Sequence, residues 1–266
     1  MTVETANALG VFDRIVCGVD SSPEALEAAR QAERLRAPTG VLRLVAVAEV
    51  DAAVHAGFAM SHVLEELDAS ARAALHSAID TVHPGSTHLL AGAPVPCLLD
   101  EVQRSDATLV AVGPHGHSRA VGVLMGGVTA SLLHDAPCSV LVARRERYGR
   151  FPDGILVGVD GSPESLAAAA VARSVADRFD AQLVAISATG GKDVDRAAIQ
   201  QELPEVVFDD RRPVDALVDL AAEADLTVIG SRGLHGLRSL GSVSERVAHR
   251  APCSVLVVRR PPAHIV

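Results

Sequence analysis

The sequence contains no tryptophan and one tyrosine, and aromatic residues make up only 2% of its 266 positions. Proteins that bind single-stranded nucleic acid stack its bases on aromatic side chains, and this chain has very few aromatic residues. It also lacks an excess of basic residues, because 24 Lys and Arg stand against 33 Asp and Glu, for a formal net charge of −9. A negative protein repels a phosphate backbone. Both shortages argue against a nucleic-acid partner.

The chain has four cysteines and no CxxC pair. Each of Cys17, Cys97, Cys138 and Cys253 lies in or beside an apolar run, a pattern that favours reduced, buried thiols over a disulfide framework or a zinc site. No apolar run reaches the roughly 18 residues of a membrane span. The first residues, MTVETANALG, lack a basic segment followed by an apolar core. We therefore expect a cytoplasmic protein with no membrane partner.

One strand-and-helix pattern occurs twice along the chain. RIVCGVD, residues 14–20, is an apolar run without alternation, typical of a strand buried on both faces of a parallel sheet. The SSPE that follows it is a helix-start signal. The same pattern returns as ILVGVDGSPES, with Asp160 at the place of Asp20. The charged, turn-rich segment RERYGRFPDG divides two predicted domains, 1–147 and 148–266.

Strands and helices alternate in both copies, with five expected strands in each. Such alternation predicts the α/β class, with a doubly wound parallel sheet and helices on both of its faces. Ligands bind such sheets at the carboxyl ends of the strands, where the strand order reverses. The ends of strands one, two and four, with Asp20, the segment 47–50 and Gly113, are therefore expected to meet in one crevice.

A glycine-rich loop follows the fourth strand of each copy. The loops are GPHGHSRAVGVLMGGVT, residues 113–129, and GSRGLHGLRSLGSVS, residues 230–244. Glycine lets backbone N–H groups approach an anion closely, and the N-terminus of the following helix adds a favourable dipole. Two interpretations stay open at this point, a phosphate-binding loop and a tight turn between strand and helix. On the first interpretation, the Asp20 carboxylate at the other end of a nucleotide would hold ribose hydroxyls, nearby amides or Mg²⁺.

The two copies differ in length at two places. The offset between them is 140 residues at Asp20 and Asp160 but 117 at Gly113 and Gly230, so the second copy lacks 23 residues between its second and third strands. After the loop the offset is 115, so the second loop is shorter by two residues. Between its second and third strands the first copy is expected to form a long amphipathic helix. In the second copy the corresponding helix is reduced to about residues 193–201. A change at the carboxyl ends of the strands alters the pocket more than the fold.

Several motifs together resemble the universal stress protein family in its tandem, two-domain form. They are VDSSPEA and VDGSPES after the first strands, the Gly-x-x-Gly loops after the fourth strands, and GSVSERVAHRAPCSVLVV near the end. The resemblance implies a five-stranded parallel sheet of order 3-2-1-4-5 in each half, and two halves paired pseudo-symmetrically through their last strands. In ATP-binding members it implies that the phosphates sit on a loop of Gly, two residues, Gly, nine residues, Gly, then Ser or Thr.

The first copy keeps that loop spacing. The resemblance implies nucleotide contacts from Asp20, Val47, Val112, Gly113, Gly116, Gly126, Gly127, Val128 and Thr129. Gly127 stands where the family has a hydroxyl residue, although its backbone N–H remains available, and Thr129 falls on the second hydroxyl position. By the same resemblance Asp20 would hold the adenosine end and Val47 would line the adenine.

The second copy departs from the spacing. Its implied contacts are Asp160, Gly230, Gly233, Gly241, Ser242, Val243 and Ser244. Seven residues instead of nine separate Gly233 from Gly241, so this loop should not span a triphosphate in the same way. We expect the first half to be the better ATP site and the second to be degenerate or retuned. An equally consistent view is that both sites are defective and bind ATP weakly or not at all.

The chain has neither the P-loop pattern G-x-x-x-x-G-K-[ST] nor the nucleophile elbow G-x-S-x-G. We therefore expect a non-enzymatic stress regulator that responds to ATP, with or without Mg²⁺, and whose chains pair as homodimers. The alternatives are an interaction module that has lost ATP binding and, more weakly, a slow adenine-nucleotide hydrolase. His115 and His117 form an H-x-H pattern, which we interpret as solvated loop histidines rather than metal ligands. The run of Arg144, Arg145 and Arg147 is interpreted as a solvated linker.

Overall fold

A computed structural model describes residues 11–49, 61–116, 125–146, 149–190, 194–231 and 243–259. We call the residues up to 146 the first half and those from 149 the second half. The elements of the first half are β1 (Phe12–Gly18), α1 (Pro23–Leu35), β2 (Arg36–Ala48), α2 (Ser61–Ile79), β3 (Ser86–Ala91), α3 (Pro94–Arg104), β4 (Leu109–Val112), α4 (Gly127–Asp135) and β5 (Ser139–Val142). Those of the second half are β6 (Gly154–Gly158), α5 (Pro163–Phe179), β7 (Gln182–Ala188), α6 (Arg196–Glu202), β8 (Val207–Asp209), α7 (Pro213–Leu220), β9 (Leu226–Ser231), α8 (Val243–Arg250) and β10 (Ser254–Arg259).

The ten strands in the described part of the chain form one sheet, in the order β3-β2-β1-β4-β5-β10-β9-β6-β7-β8. Within each half the strands are parallel and follow the order 3-2-1-4-5, which confirms the predicted fold class. The halves join through the antiparallel pair β5 and β10, with Leu141 opposite Leu256. We call this pair the seam. The predicted domain boundary at 147/148 lies outside the described residues and stays a prediction.

The core is aliphatic and lies on both faces of the sheet. One cluster of buried side chains joins the sheet to α1, α2, α5 and α6, and the other joins it to α3, α4, α7 and α8. The strands β4 and β5 are buried at every position, as their uninterrupted apolar runs predict for central strands of a parallel sheet. No helix in the described part of the chain is long and apolar enough to span a membrane.

The start of the first helix in each half follows the predicted capping pattern. The Ser22 hydroxyl accepts the Ala25 N–H at 3.2 Å, and the Ser162 hydroxyl accepts the Ser165 N–H at the same distance. A proline follows each cap in the first helical turn, where its missing N–H costs nothing. These local signals place α1 and α5 directly after the first strand of each half.

All four cysteines are free, and three of them are buried. Burial raises the pKa of the Cys17 and Cys138 thiols to about 12. Both thiols therefore stay protonated at neutral pH, which makes them poor nucleophiles and poor metal ligands.

Side-chain bonds fix the starts of β2 and α6. The strand β2 begins at Arg36, directly after α1, where the Arg36 guanidinium bonds Glu33 and donates to the Gly40 carbonyl at 2.8 Å. This holds the segment extended, with Arg36 paired to Phe12 of β1. The short helix of the second half is α6, which starts three residues later than expected because Asp195 caps it by accepting the Ala198 N–H at 3.0 Å.

A buried group of polar side chains crosses the seam. The Ser254 hydroxyl donates to Gln31 Oε1 at 2.8 Å and accepts the Arg144 backbone N–H at 2.9 Å. The Gln31 amide donates to the Arg144 carbonyl and to Glu27, both at 2.7 Å. Gln31 and Ser254 are each 1% exposed. This group ties α1 of the first half to β10 of the second half.

The interpretation of Arg144 as part of a solvated linker is wrong. Its guanidinium donates to the Ala248 carbonyl at 2.6 Å and the Cys253 carbonyl at 3.2 Å, both in the second half. Backbone carbonyls more than 100 positions away in sequence thus replace the water that a run of charges usually binds. Arg145 is exposed, and Arg147 lies outside the described residues.

We predict that Ser254→Ala lowers the free energy of unfolding by about 1–3 kcal/mol, because Gln31 and the Arg144 N–H each lose a buried partner. Urea unfolding followed by circular dichroism measures the change. Ser174→Ala is the matched control, since Ser174 is exposed on α5 and bonds only within its own helix in the described contacts. The control should stay within about 0.5 kcal/mol of the parent protein. Equal losses in the two variants would show that the polar group at the seam does not stabilise the fold.

Candidate functional site

A cavity of about 690 Å³ opens in the first half at the carboxyl ends of β1, β2 and β4. The strand order reverses at this point, since β1 lies between β2 and β4, and the volume is within the usual range for small-molecule sites. Every residue that the family resemblance assigned to the first half lines this cavity: Asp20, Val47, Val112, Gly113, Gly116, Gly126, Gly127, Val128 and Thr129. Their contacts with a ligand stay a prediction.

The two carboxylate oxygens of Asp20 have different surroundings, one in the turn before α1 and the other beside the glycine loop. Its Oδ1 accepts the Ser22 N–H at 2.9 Å and the Ser22 hydroxyl, which fixes the turn that leads into α1. Its Oδ2 faces the glycine loop, because a Cβ added to Gly116 would lie 2.8 Å from this oxygen. The carboxylate and the loop are therefore side by side, whereas the sequence analysis assigned them to opposite ends of a nucleotide.

The glycine loop closes on itself just before α4. The Gly126 N–H donates to the Pro114 carbonyl at 2.7 Å, and Gly126, with extended backbone, occupies the N-cap position without a capping side chain. The first amides of a helix have no partner inside it. Gly127, Val128 and Thr129 form this first turn and line the cavity, so the positive end of α4 faces the space that a ligand would fill. This arrangement is suited to an anion.

Two residues of the loop have packing roles that the sequence analysis missed. A Cβ on Gly113 would lie 2.9 Å from Glu24 Cβ and 3.0 Å from the Glu24 carbonyl carbon, so the first turn of α1 requires glycine there. Gly230 makes the same close approach to Glu164 in the second half. The Thr129 hydroxyl donates to the Gly113 carbonyl at 2.7 Å and is buried. This hydrogen bond ties α4 to the end of β4. It uses the hydroxyl proton for which the resemblance implies a phosphate partner.

The helix α2 supplies a wall of the cavity that the sequence analysis did not assign. Four of its side chains line the space: Leu67, Ser70, Ala71 and Ala74. The signal that could have found them is the difference in length between the copies, since the extra residues of the first half lie at the carboxyl end of its second strand. Together with Val45, Val47 and Leu98, these side chains make the part of the cavity away from the loop mainly apolar.

The ionisable residues around the cavity are mostly acidic. Asp20, Glu49 and His115 line it, and no Lys or Arg occurs among its described lining residues. Where the structure describes the chain, no group of three or more His, Cys, Asp or Glu side chains could hold a metal ion by itself. His117, the other half of the H-x-H pattern, lies outside the described residues.

The second half repeats the turn, and a side chain of α6 packs against it. Asp160 Oδ1 accepts the Ser162 N–H at 3.0 Å and the Ser162 hydroxyl at 2.6 Å, as Asp20 does with Ser22. Above that turn the Ile199 side chain of α6 lies 3.1 Å from where a Cβ on Gly161 would be, and Ile199 is 3% exposed. The helix α6 has 7 residues and α2 has 19, so the short helix packs on the turn that its counterpart leaves open.

The structure describes only some of the residues predicted for the second site. Gly230 is the penultimate residue of β9, while Val243 and Ser244 begin α8, with Ser244 buried. The remaining residues predicted in this loop, Gly233, Gly241 and Ser242, lie outside the described part of the chain. The prediction of a degenerate or retuned second site stays a prediction.

Three comparisons with known proteins identify the same family. The model of the universal stress protein family matches residues 12–144 and 191–259. A universal stress protein of Mycobacterium tuberculosis is 31% identical over 291 aligned positions, which cover 92% of this chain and 96% of the relative. One of Mycolicibacterium smegmatis is 32% identical over 288 positions with the same coverage. Among solved structures, a universal stress protein from Archaeoglobus fulgidus has the same fold, with a TM-score of 0.75, 22% identity and coverage of 96% of this chain and 98% of that chain.

We predict that alanine substitutions at two glycines of the site change stability in opposite directions. Gly113→Ala should lower the free energy of unfolding by about 1–3 kcal/mol, because its Cβ would overlap Glu24 and overpacking strains the first turn of α1. Gly127→Ala should be neutral or stabilising by up to about 1 kcal/mol, since its Cβ meets nothing within 4 Å and alanine favours a helix over glycine. Urea denaturation of the two variants checks both signs. A tolerated Gly113→Ala would contradict the packing role given to this glycine.

Proposed function

Because the chain belongs to the universal stress protein family, we propose that it is a stress-response protein that binds ATP, as its Mg²⁺ complex, in the first half. The observation that carries this proposal is the convergence of all the residues assigned to the first half on one cavity. Those residues are spread over more than 100 positions of sequence, from Asp20 to Thr129, and they come together only in the folded chain.

The loop and the start of α4 are suited to the phosphates. In the absence of Lys or Arg among the described lining residues, the favourable charge comes from backbone N–H groups and the positive end of the helix. Gly127 adds no side chain to this turn, and its lack of neighbours within 4 Å of a Cβ leaves room for a phosphate oxygen to approach the amide. The apolar wall formed by Val47, Leu67 and Ala71 is suited to the adenine ring.

The acidic lining makes a divalent cation part of the proposal. A triphosphate on the loop would lie beside the Asp20 carboxylate, and two anions at this distance repel each other. Mg²⁺ binds one or two carboxylates together with substrate phosphates and keeps several waters, so it would turn that repulsion into attraction. Asp20 Oδ2 is the oxygen we assign to this contact, directly or through a water.

We propose that the protein acts by binding and not by catalysis. The absence of a P-loop lysine and of a nucleophile elbow from the whole sequence supports this, and slow hydrolysis of the nucleotide is the weaker alternative. In this proposal ATP changes how the protein associates with other molecules in the cytoplasm, including a second copy of the chain. The sheet ends in β3 and β8, two edge strands that are each paired on one side within the chain.

A second candidate is an interaction module without a nucleotide, and one observation favours it. The Thr129 hydroxyl donates to Gly113, and Gly127 has no hydroxyl, so the side chains offer the phosphates less than the family pattern implies. Mass spectrometry of the small molecules released when the purified protein is denatured separates the two. Released adenine nucleotide supports the first function. No released nucleotide, together with no heat of binding on titration with MgATP, supports the second.

We predict that Asp20→Asn weakens MgATP binding by about tenfold or more, because loss of a charged ligand contact costs about 1.5 kcal/mol or more. Asparagine keeps the side-chain oxygen that accepts the Ser22 N–H, so the turn into α1 should persist. Isothermal titration calorimetry with MgATP, and with ATP in the presence of EDTA, measures the affinity and its dependence on the cation.

The matched control for this prediction is Asp160→Asn. Asp160 makes the same two bonds to Ser162 in the second half, so its loss should affect the turn equally and leave MgATP affinity unchanged. If the two variants lowered the affinity by the same factor, Asp20 would have no specific part in binding the nucleotide.

A further inference from the structure

Two arginines cross the seam in opposite directions. Arg144 follows β5 and Arg259 ends β10, and each comes just after a copy of the repeated sequence CSVLV. They differ by 115 positions, the same offset that separates Leu141 from Leu256, which lie opposite each other at the middle of the seam. The two arginines are therefore equivalent residues of the repeat, and the antiparallel pairing brings each of them into the other half.

Arg259 contacts the end of α4. Its backbone N–H donates to the Ser139 hydroxyl at 3.2 Å. Its Nη2 donates to the carbonyl oxygens of Leu133 and His134, the latter at 3.3 Å, which belong to the last turn of α4. The helix that lines the nucleotide cavity with its first turn is thus held at its last turn by a side chain of the second half.

Arg144 makes the mirror set of contacts with α8. Its backbone N–H donates to the Ser254 hydroxyl at 2.9 Å, and its Nη2 donates to the Ala248 carbonyl in the last turn of α8 at 2.6 Å. Ser254 and Ala248 are the repeat equivalents of Ser139 and Leu133. Each half therefore holds the helix that follows the glycine loop of the other half.

A guanidinium at this position acts on the helix in two ways. It donates to carbonyl groups that have no partner within the helix, and its charge complements the negative end of the helix dipole. Both guanidinium groups are partly buried, and this burial lowers their pKa from the ordinary arginine value. Hydrogen bonds and charges act more strongly in such surroundings than in solvent.

We propose that Arg259 is a positioning residue for the nucleotide site of the first half, acting through α4. This inference rests on the proposed function, because it makes the second half a determinant of ATP affinity in the first. The helix has nine residues and spans about 13.5 Å, which is short enough for a hold on its last turn to fix its first turn. Coupling is reciprocal, so a nucleotide at Gly127 and Val128 should in turn strengthen the contact between α4 and Arg259.

The test compares Arg259→Ala with Arg144→Ala. The second variant removes the equivalent arginine of the first half, which contacts α8 instead of α4. Hydrogen–deuterium exchange without nucleotide is the first readout. Arg259→Ala should speed the exchange of the α4 amides and leave those of α8 at the parent rate, and Arg144→Ala should do the reverse. This pattern depends only on the contacts across the seam, so it is measurable whether or not the protein binds ATP.

Titration calorimetry with MgATP is the second readout. Arg259→Ala should weaken binding by about tenfold, within the range usual for coupling between sites, while Arg144→Ala leaves the affinity at the parent value. Arg259→Lys keeps the charge without the planar fork, so it should fall between the parent protein and Arg259→Ala. This milder variant also provides the test if Arg259→Ala does not fold.

Separate results overturn the inference and the function on which it rests. If the parent protein bound no MgATP, the proposed function would fail, and the exchange pattern would still decide whether each arginine holds the helix of the other half. If the parent bound MgATP but both alanine variants weakened it equally, or neither did, Arg259 would have no positioning role. An exchange pattern in which both helices loosen in both variants would also overturn it, since the arginines would then stabilise the seam as a whole.

Discussion

The antiparallel pairing of β5 with β10 is the interaction on which the rest of the structure depends. It joins two five-stranded parallel sheets into one sheet of ten strands, with Leu141 opposite Leu256. Each half would otherwise end in an uncovered apolar strand, the kind of edge that proteins avoid. The same pairing places an arginine at or shortly after the end of each strand against the opposite half, which is how Arg144 and Arg259 reach α8 and α4. Each half therefore donates hydrogen bonds to the last turn of a helix in the other half.

Inside this symmetric frame the two halves differ where a ligand would bind. Asp20 and Asp160 each accept a hydrogen bond from the serine two residues later, so both halves have the same turn after their first strand. The 19-residue α2 stands beside an open cavity in the first half, whereas the 7-residue α6 brings Ile199 onto the turn in the second. The connections that contain these two helices differ in length by 23 residues. In the proposed function the first half binds the nucleotide and the second half supports it.

The order of strands and helices was predictable, because local apolar runs and capping signals encode it. The family resemblance named nine residues that line the cavity, whereas the wall formed by α2 was not predicted. The contacts that escaped prediction join residues far apart in sequence. Arg144 and Arg259 reach carbonyls 104 to 126 positions away, and no local pattern separates a bridging arginine from a solvated one. The same holds for Gly113, which the backbone of Glu24 constrains, and for Thr129, whose hydroxyl bonds Gly113. Their roles depend on neighbours that only the folded chain supplies.

The stoichiometry of MgATP binding tests the central claim most directly. Titration calorimetry of the intact chain, with protein concentration fixed by amino-acid analysis, gives the number of nucleotides bound per chain. An open cavity in the first half and a turn covered by Ile199 in the second predict one. Two bound nucleotides would contradict the inequality of the halves, and none would contradict the assignment of the cavity to ATP.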